Sequence, residues 1–231
     1  QFIEGDVLKW WHRSADGRTG LGDRTRASDP HLWLPYLTVR YVAQTGDASI
    51  LDETSHFIEG PQVPVGEEGR MFTPRPSRDS ATLVGHCQRA IDYALARLGR
   101  HGLPLMGTGD WDDGMNLVGW EGRGESVWMG FFLHDVLTGF VRLVEQRGDH
   151  RLAERYRQAA ARLASALAAT WDGDRFVRAY NDEGKIIRPM SAMTSAWPAL
   201  SGAIPLARAR EAAENALAAL DKGNRVLLVT P

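Results

Sequence analysis

The apolar positions of this chain recur mostly at helical spacing. From Asp79 or Ser80 to about Leu98, the residues Leu83, Val84, Cys87, Ile91, Ala94, Leu95 and Leu98 fall on one stripe, which predicts an amphipathic helix. Residues 125–147 begin apolar on nearly every face (Val127-Trp128-Met129, then Phe131-Phe132-Leu133) and predict a long inner helix ended by Gly148. Asp149 can cap a following helix over 150–171, whose Leu152, Tyr156, Ala159, Leu163 and Leu167 leave an outer face rich in alanine and arginine. Ser28 or Asp29 can cap, and Pro30 can open, a helix running to about Thr45. Shorter helices are expected over 1–12, 48–53, 191–201 and 205–222, with residues 14–22 as a glycine-rich loop. Strand signals are brief. Phe176 to Tyr180 and Lys185 to Ile187 flank Asn181-Asp182-Glu183-Gly184 and predict a small β-hairpin. Residues 56–80 hold Pro61, Pro64, Pro74 and Pro76 and read as a long excursion, with short strands at Phe57-Ile58 and Met71-Phe72.

Inner and outer helices in alternation, with no regular short repeat, predict an all-α fold. Long loops bearing Trp, Asp and Arg favour an (α/α) barrel over a bundle or solenoid, incomplete here and decorated with the hairpin. The 231 residues suit one large domain, and 43% apolar residues can fill its core. A formal charge of −2 gives no pull toward nucleic acid or an anionic membrane. No apolar run reads as a membrane span and no leader opens the chain. A single cysteine, Cys87, excludes an internal disulfide framework and fits a reducing, cytoplasmic compartment. The chain starts in mid-pattern and stops abruptly, so both ends read as cut from a longer protein, which can itself be an inner-membrane protein; a dimer is left open.

Candidate chemistry concentrates at residues 107–116, Gly-Thr-Gly-Asp-Trp-Asp-Asp-Gly-Met-Asn. Asp110, Asp112 and Asp113 flank Trp111 between glycines that break any helix. An indole can stack on a pyranose ring and a positioned carboxyl can protonate a glycosidic oxygen. An acidic surface turn or an adventitious calcium loop is the competing reading.

Gly-Asp-Trp-Asp-Asp-Gly-Met-Asn, followed by Gly122-Arg123-Gly124-Glu125-Ser126-Val127-Trp128, resembles glycoside hydrolase family 94, the disaccharide and β-glucan phosphorylases. The segment Arg24-Thr25-Arg26-Ala27-Ser28-Asp29, then His31-Leu32-Trp33-Leu34-Pro35, and His86-Cys87 with Arg89-Ala90 resemble the branch that holds the cyclic β-1,2-glucan synthases and 1,2-β-oligoglucan phosphorylases. The resemblance implies a catalytic (α/α)6 barrel and inverting phosphorolysis. An aspartic acid protonates the glycosidic oxygen while inorganic phosphate, the co-substrate, attacks the anomeric carbon, and no cofactor or metal is called for. It places the acid on Asp113, the sugar platform on Trp111, and sugar-hydroxyl contacts on Arg24, Arg26 and Asp29. Asp110 and Glu125 are supporting residues, and a β-glucan oligosaccharide is the partner. Asp29 as a plain helix cap, and Arg24 or Arg26 as plain ion-pair partners, stand beside those roles. His86 is expected in the core or behind the site.

The chain departs from the family pattern in three places. Asp112 stands for an asparagine, Pro30 for a second acid, and Ser191-Ala192-Met193-Thr194-Ser195-Ala196-Trp197 for a more polar segment. The family's phosphate-binding segments fall beyond Pro231, so this stretch can keep the acid and lack the nucleophile's seat. Two other readings remain open: inverting hydrolysis by water with Glu125 as base, and a non-catalytic carbohydrate-binding module.

Overall fold

The structure is a computed structural model that describes residues 1–17 and 19–230; the side chains of Thr19 and Asp113 lie outside the described set. The first regular elements are strands. β1 (Leu8–Arg13) and β2 (Thr19–Thr25) form an antiparallel hairpin in which Leu8 faces Arg24 and Arg13 faces Thr19. The helix expected over 1–12 is therefore absent. Register irregularities between Leu8 and Trp10 and between Trp11 and Arg13 break strict alternation. They leave neighbouring aromatics Trp10 and Trp11 both exposed, so the stretch lacks the period of two by which a strand is recognised.

A 3-10 turn at Pro30–Leu32 leads into α1 (Trp33–Thr45), which ends at Gly46 with φ of 73°. A 3-10 turn at Ser49–Asp52 follows where a short helix was expected. The excursion is more ordered than its prolines suggest. β3 (Thr54–Glu59) pairs with β5 (Arg75–Thr82), and β4 (Gly69–Phe72) extends the first sheet along β2. The strand β5 also moves the start of the next helix. Ser80 and Ala81 pair with His56 and Ser55, so α2 (Leu83–Leu95) begins only after Thr82, whose hydroxyl accepts the Gly85 N–H.

The second half follows the expected pattern. β6 (Glu125–Ser126) precedes α3 (Val127–Gln146), with Ser126 capping the Met129 N–H. Then come α4 (His150–Ala168), capped by Asp149, the hairpin β7 (Ala179–Tyr180) and β8 (Ile186–Ile187), α5 (Ala192–Ser201) and α6 (Leu206–Leu220). β6 pairs with β7, so the hairpin is joined directly to the start of α3. About 44% of the chain is helical and about 20% is strand, which makes all-α too narrow a description.

α3 is the centre of the core. Trp128, Phe131, Phe132, Leu133, Leu137 and Phe140 are fully buried, against α1, α4 and α5. By length and hydropathy α3 would suffice to cross a bilayer, contrary to the expectation that no run reads as a span, but most of it is buried within the protein. An aromatic cluster of Tyr36, Phe132, Trp128 and Trp197 joins α1, α3 and α5 at ring separations of 5.1–6.2 Å. His86 is also a core residue. Its ring packs on Phe57 and its nitrogens are taken by the Gln1 side chain and by Ser55.

Candidate functional site

The acidic loop is held from two sides. On one, the Gly109 carbonyl accepts from the backbone N–H (2.9 Å) and the hydroxyl (3.1 Å) of Ser28, and Thr108 donates to the Arg26 carbonyl. Gly107 makes this approach feasible. Its φ is +63°, and a methyl group on its Cα would overlap the Arg26 carbonyl oxygen. On the other side stands the β7–β8 hairpin. Arg178, just before β7, donates from Nη1 to Asp110 Oδ2 (2.8 Å) and from Nη2 to Asp110 Oδ1 (2.6 Å). Both side chains are buried, at 2% and 0% exposure, so the pair is a dry bidentate bridge. Ser126 donates a third hydrogen bond (2.6 Å) and the Asp112 backbone N–H a fourth (3.0 Å) to the same carboxylate. Asp182, in the hairpin turn, accepts from the backbone N–H groups of Glu121, Arg123 and Gly124 at 2.8–2.9 Å. One small hairpin thus fixes both the acidic loop and the segment that follows it.

Asp110 is the buried anchor of this loop, which leaves Trp111 free to project. Trp111 is 49% exposed and lines a cleft of about 530 Å³ with Leu8 and Lys9 of β1, Asp29, Pro30, Trp33 of α1, and Asp110. Asp29 does not cap a helix with its side chain. It accepts the indole N–H of Trp33 at 2.8 Å. Burial raises its pKa above the usual aspartate value and the nearby Asp110 adds to this, while the Trp33 hydrogen bond and Lys9 oppose it. Trp111 and Trp33 give the cleft two indoles, and Asp29 and Lys9 give it polar groups. Such a lining suits a polyhydroxylated ring with one apolar face. Asp112 accepts from the Gly114 N–H and lies 4.0 Å from Arg178. The backbone of Asp113 opens a 3-10 turn at Asp113–Met115 beside this cleft; the carboxyl expected to act as the acid lies outside the described residues.

The structure gathers some of the predicted residues and separates others. Asp29, Asp110 and Trp111 share the cleft, but Arg24 and Arg26 do not line it. Arg24 is held in a bidentate bridge to Asp6 at 2.7 and 2.8 Å, donates to the carbonyls of Gly60 and Pro61, and lies over the Phe2 ring. It pins the N-terminal segment to β2 and to the loop after β3. Arg26 donates to the carbonyls of Glu67 and Trp120. Glu125 is 1% exposed, and its carboxylate accepts from the backbone N–H groups of His101 and Leu103 and pairs with the His101 ring. It ties down residues 101–103 and does not line the cleft. Three contributors escaped the sequence reading. Trp33 sat within a quoted motif without a role, Lys9 was hidden by the mistaken helix, and Arg178 carries no local signal because its partner is 68 residues away.

Against known families, residues 4–231 match the model of the glycosyl hydrolase 94 superfamily, catalytic domain. The chain is 36% identical over 241 residues to the cyclic beta-(1,2)-glucan synthase NdvB of Rhizobium meliloti, covering 100% of this chain and 8% of that protein. It is also 36% identical over 158 residues to a 3-O-beta-D-glucopyranosyl-beta-D-glucuronide phosphorylase of Paenibacillus borealis, covering 68% of this chain and 18% of the relative. A cellobionic acid phosphorylase of Neurospora crassa is 31% identical over 189 residues, with 76% and 21% covered. The chain therefore spans a minor part of the length of these relatives. Among solved structures, the GH78 family rhamnosidase of Bacillus sp. GL1 superposes with a TM-score of 0.60 at 16% identity, over 85% of this chain and 18% of that one, a likeness of fold alone. With the family model matched from residue 4 to the last residue, the chain belongs to the glycosyl hydrolase 94 superfamily, within its catalytic domain.

Proposed function

We propose that the protein containing this chain cleaves β-glucosidic linkages, β-1,2-glucan or a related β-gluco-oligosaccharide, by inverting phosphorolysis. The observation that carries the reading is the cleft in which Trp111, Trp33, Asp29 and Asp110 converge next to the Asp113 turn. The phosphorylase names among the relatives support the reaction class. The helices α1 to α6 are then part of an (α/α)6 barrel, with the acidic loop at its mouth. Trp111 stacks on the sugar ring, and Asp29 accepts from a sugar hydroxyl. Asp113 donates its carboxyl proton to the glycosidic oxygen as that C–O bond breaks. A phosphate oxygen forms the new bond to the anomeric carbon from the opposite face and leaves an α-sugar 1-phosphate. Arg24 and Arg26 hold the walls rather than the substrate. The protein works in the cytoplasm, where inorganic phosphate is present.

The test is to incubate the full-length protein with β-1,2-gluco-oligosaccharides, with and without phosphate. Sugar 1-phosphate formed only with phosphate supports the proposal, and its loss in Trp111→Ala assigns the platform. Reducing sugar released equally without phosphate would replace phosphorolysis with hydrolysis.

A further inference from the structure

A second polar cavity shares no lining residue with the sugar cleft. It has about 180 Å³ and is lined by Glu4, Asp6, Arg24, Arg26, Tyr93 and Arg97 among others. A small recess of about 10 Å³ continues past the same Arg26, Tyr93 and Arg97 to His31. The charges in this space are unequal in their pairing. Asp6 is bound bidentate to Arg24, and Glu4 is shared between Arg24 and Gln62. Neither carboxylate pairs with Arg26 or Arg97, and among the described residues no ion pair is made by either arginine. Asp182 acts on Arg26 only from a distance, its carboxylate being taken by three backbone N–H groups.

Arg26 is 7% exposed and held in place by two neutral carbonyls, which fix its plane without neutralising its charge. Its Nη1 is buried with no hydrogen-bond partner, as is Nε2 of His31 at the end of the recess. Buried donors left unpaired are costly, and two unpaired cations facing one cavity repel each other. Burial, followed by the charge of Arg97, lowers the pKa of Arg26. Burial and Arg97 likewise hold His31 neutral, with its pKa lowered to about 3. An anion in this cavity would give the buried Arg26 donor a partner and offset the charge of Arg97.

We propose that the cavity between Arg26 and Arg97 is a binding site for a tetrahedral oxyanion of the phosphate or sulfate class. Arg26 Nη1 and the Arg97 guanidinium donate to its oxygens, Tyr93 walls one side, and one oxygen enters the recess toward His31. The site is separate from the sugar cleft and does not depend on the proposed reaction.

The experiment titrates sodium sulfate and sodium phosphate into the chain at constant ionic strength, set with sodium chloride, and follows thermal unfolding and heat of binding. The expected result is a saturable rise in Tm for both oxyanions. Arg97→Gln should raise the half-saturating concentration at least about tenfold, the loss of one charge-assisted hydrogen bond. Arg97 is only partly buried, so this variant folds even if Arg26→Gln does not. Trp111→Ala should leave the titration unchanged. No response beyond the chloride control overturns the site. So does binding that survives Arg97→Gln and is lost in Trp111→Ala, which would put the anion in the sugar cleft.

Discussion

Replacing Arg178 by methionine should be among the most damaging single changes in the molecule. Met fills most of the space of the arginine stem and removes only its charge and its donors. Asp110 would keep the Ser126 hydroxyl and the Asp112 N–H but lose both guanidinium bonds, at 2.6 and 2.8 Å, inside a site where neither partner is more than 2% exposed. Removing one member of a buried pair leaves an uncompensated charge and costs about 3–5 kcal/mol, a large part of the stability of a domain. The Asp110→Asn, Arg178→Met double variant buries no net charge, so it should cost less than the single Arg178→Met change. Urea unfolding followed by tryptophan fluorescence and far-UV circular dichroism measures all the corners of the cycle. A cost below about 1 kcal/mol for Arg178→Met, or strictly additive single changes, would refute the claim that this bridge anchors the acidic loop.

Other consequences follow from the same geometry. Gly107→Ala forces a residue with φ of +63° to carry a methyl against the Arg26 carbonyl, and should cost several kcal/mol in urea unfolding, about 2 or more, with loss of any sugar binding. His31 has its pKa lowered to about 3 by burial and by Arg97, so it stays neutral in the fold while the unfolded chain takes up a proton below about 6.5. The stability it confers is complete above that unfolded pKa and falls by about 1.4 kcal/mol per pH unit as pH drops from there toward 3, a slope that His31→Gln should remove from the acid side of a stability–pH curve. Cys87 is fully buried and its thiol is pushed up to about 12, so Ellman's reagent should leave it unmodified in the native protein at pH 8 and react fully in denaturant.

What could be read from the chain depended on how far each signal extends along it. α3 and α4 were legible because their apolar stripes run for five turns and need no partner to be recognised; Val127, Leu137 and Leu163 sit where the pattern puts them. The hairpin at Ala179–Tyr180 and Ile186–Ile187 was legible from its Asn181-Asp182-Glu183-Gly184 turn. The hairpin β1–β2 was not, because Trp10 and Trp11 are consecutive, exposed and flanked by register breaks, so neither period is visible. β5 was missed for a similar reason: residues such as Arg75, Arg78 and Asp79 carry little strand propensity, and the pairing with β3 that orders them is a long-range contact. At the site, the acidic loop drew attention to Trp111 and Asp110, and the family resemblance to Asp29. Neither could show that Arg24 is already satisfied by Asp6, or that Arg178 closes on Asp110 from across the chain. Local spacing finds residues that share a loop and is silent on which of them face the same cavity.

The proposed role of Asp113 as proton donor in phosphorolysis is open to steady-state kinetics of the full-length protein and its Asp113→Asn variant on a β-1,2-gluco-oligosaccharide with saturating phosphate. The expected result is a fall in kcat of about 10²–10⁴-fold with KM for the oligosaccharide little changed, because asparagine matches aspartic acid in size and loses only the proton. A variant with kcat within a few-fold of the parent would contradict it and move the acid to another carboxyl of the cleft.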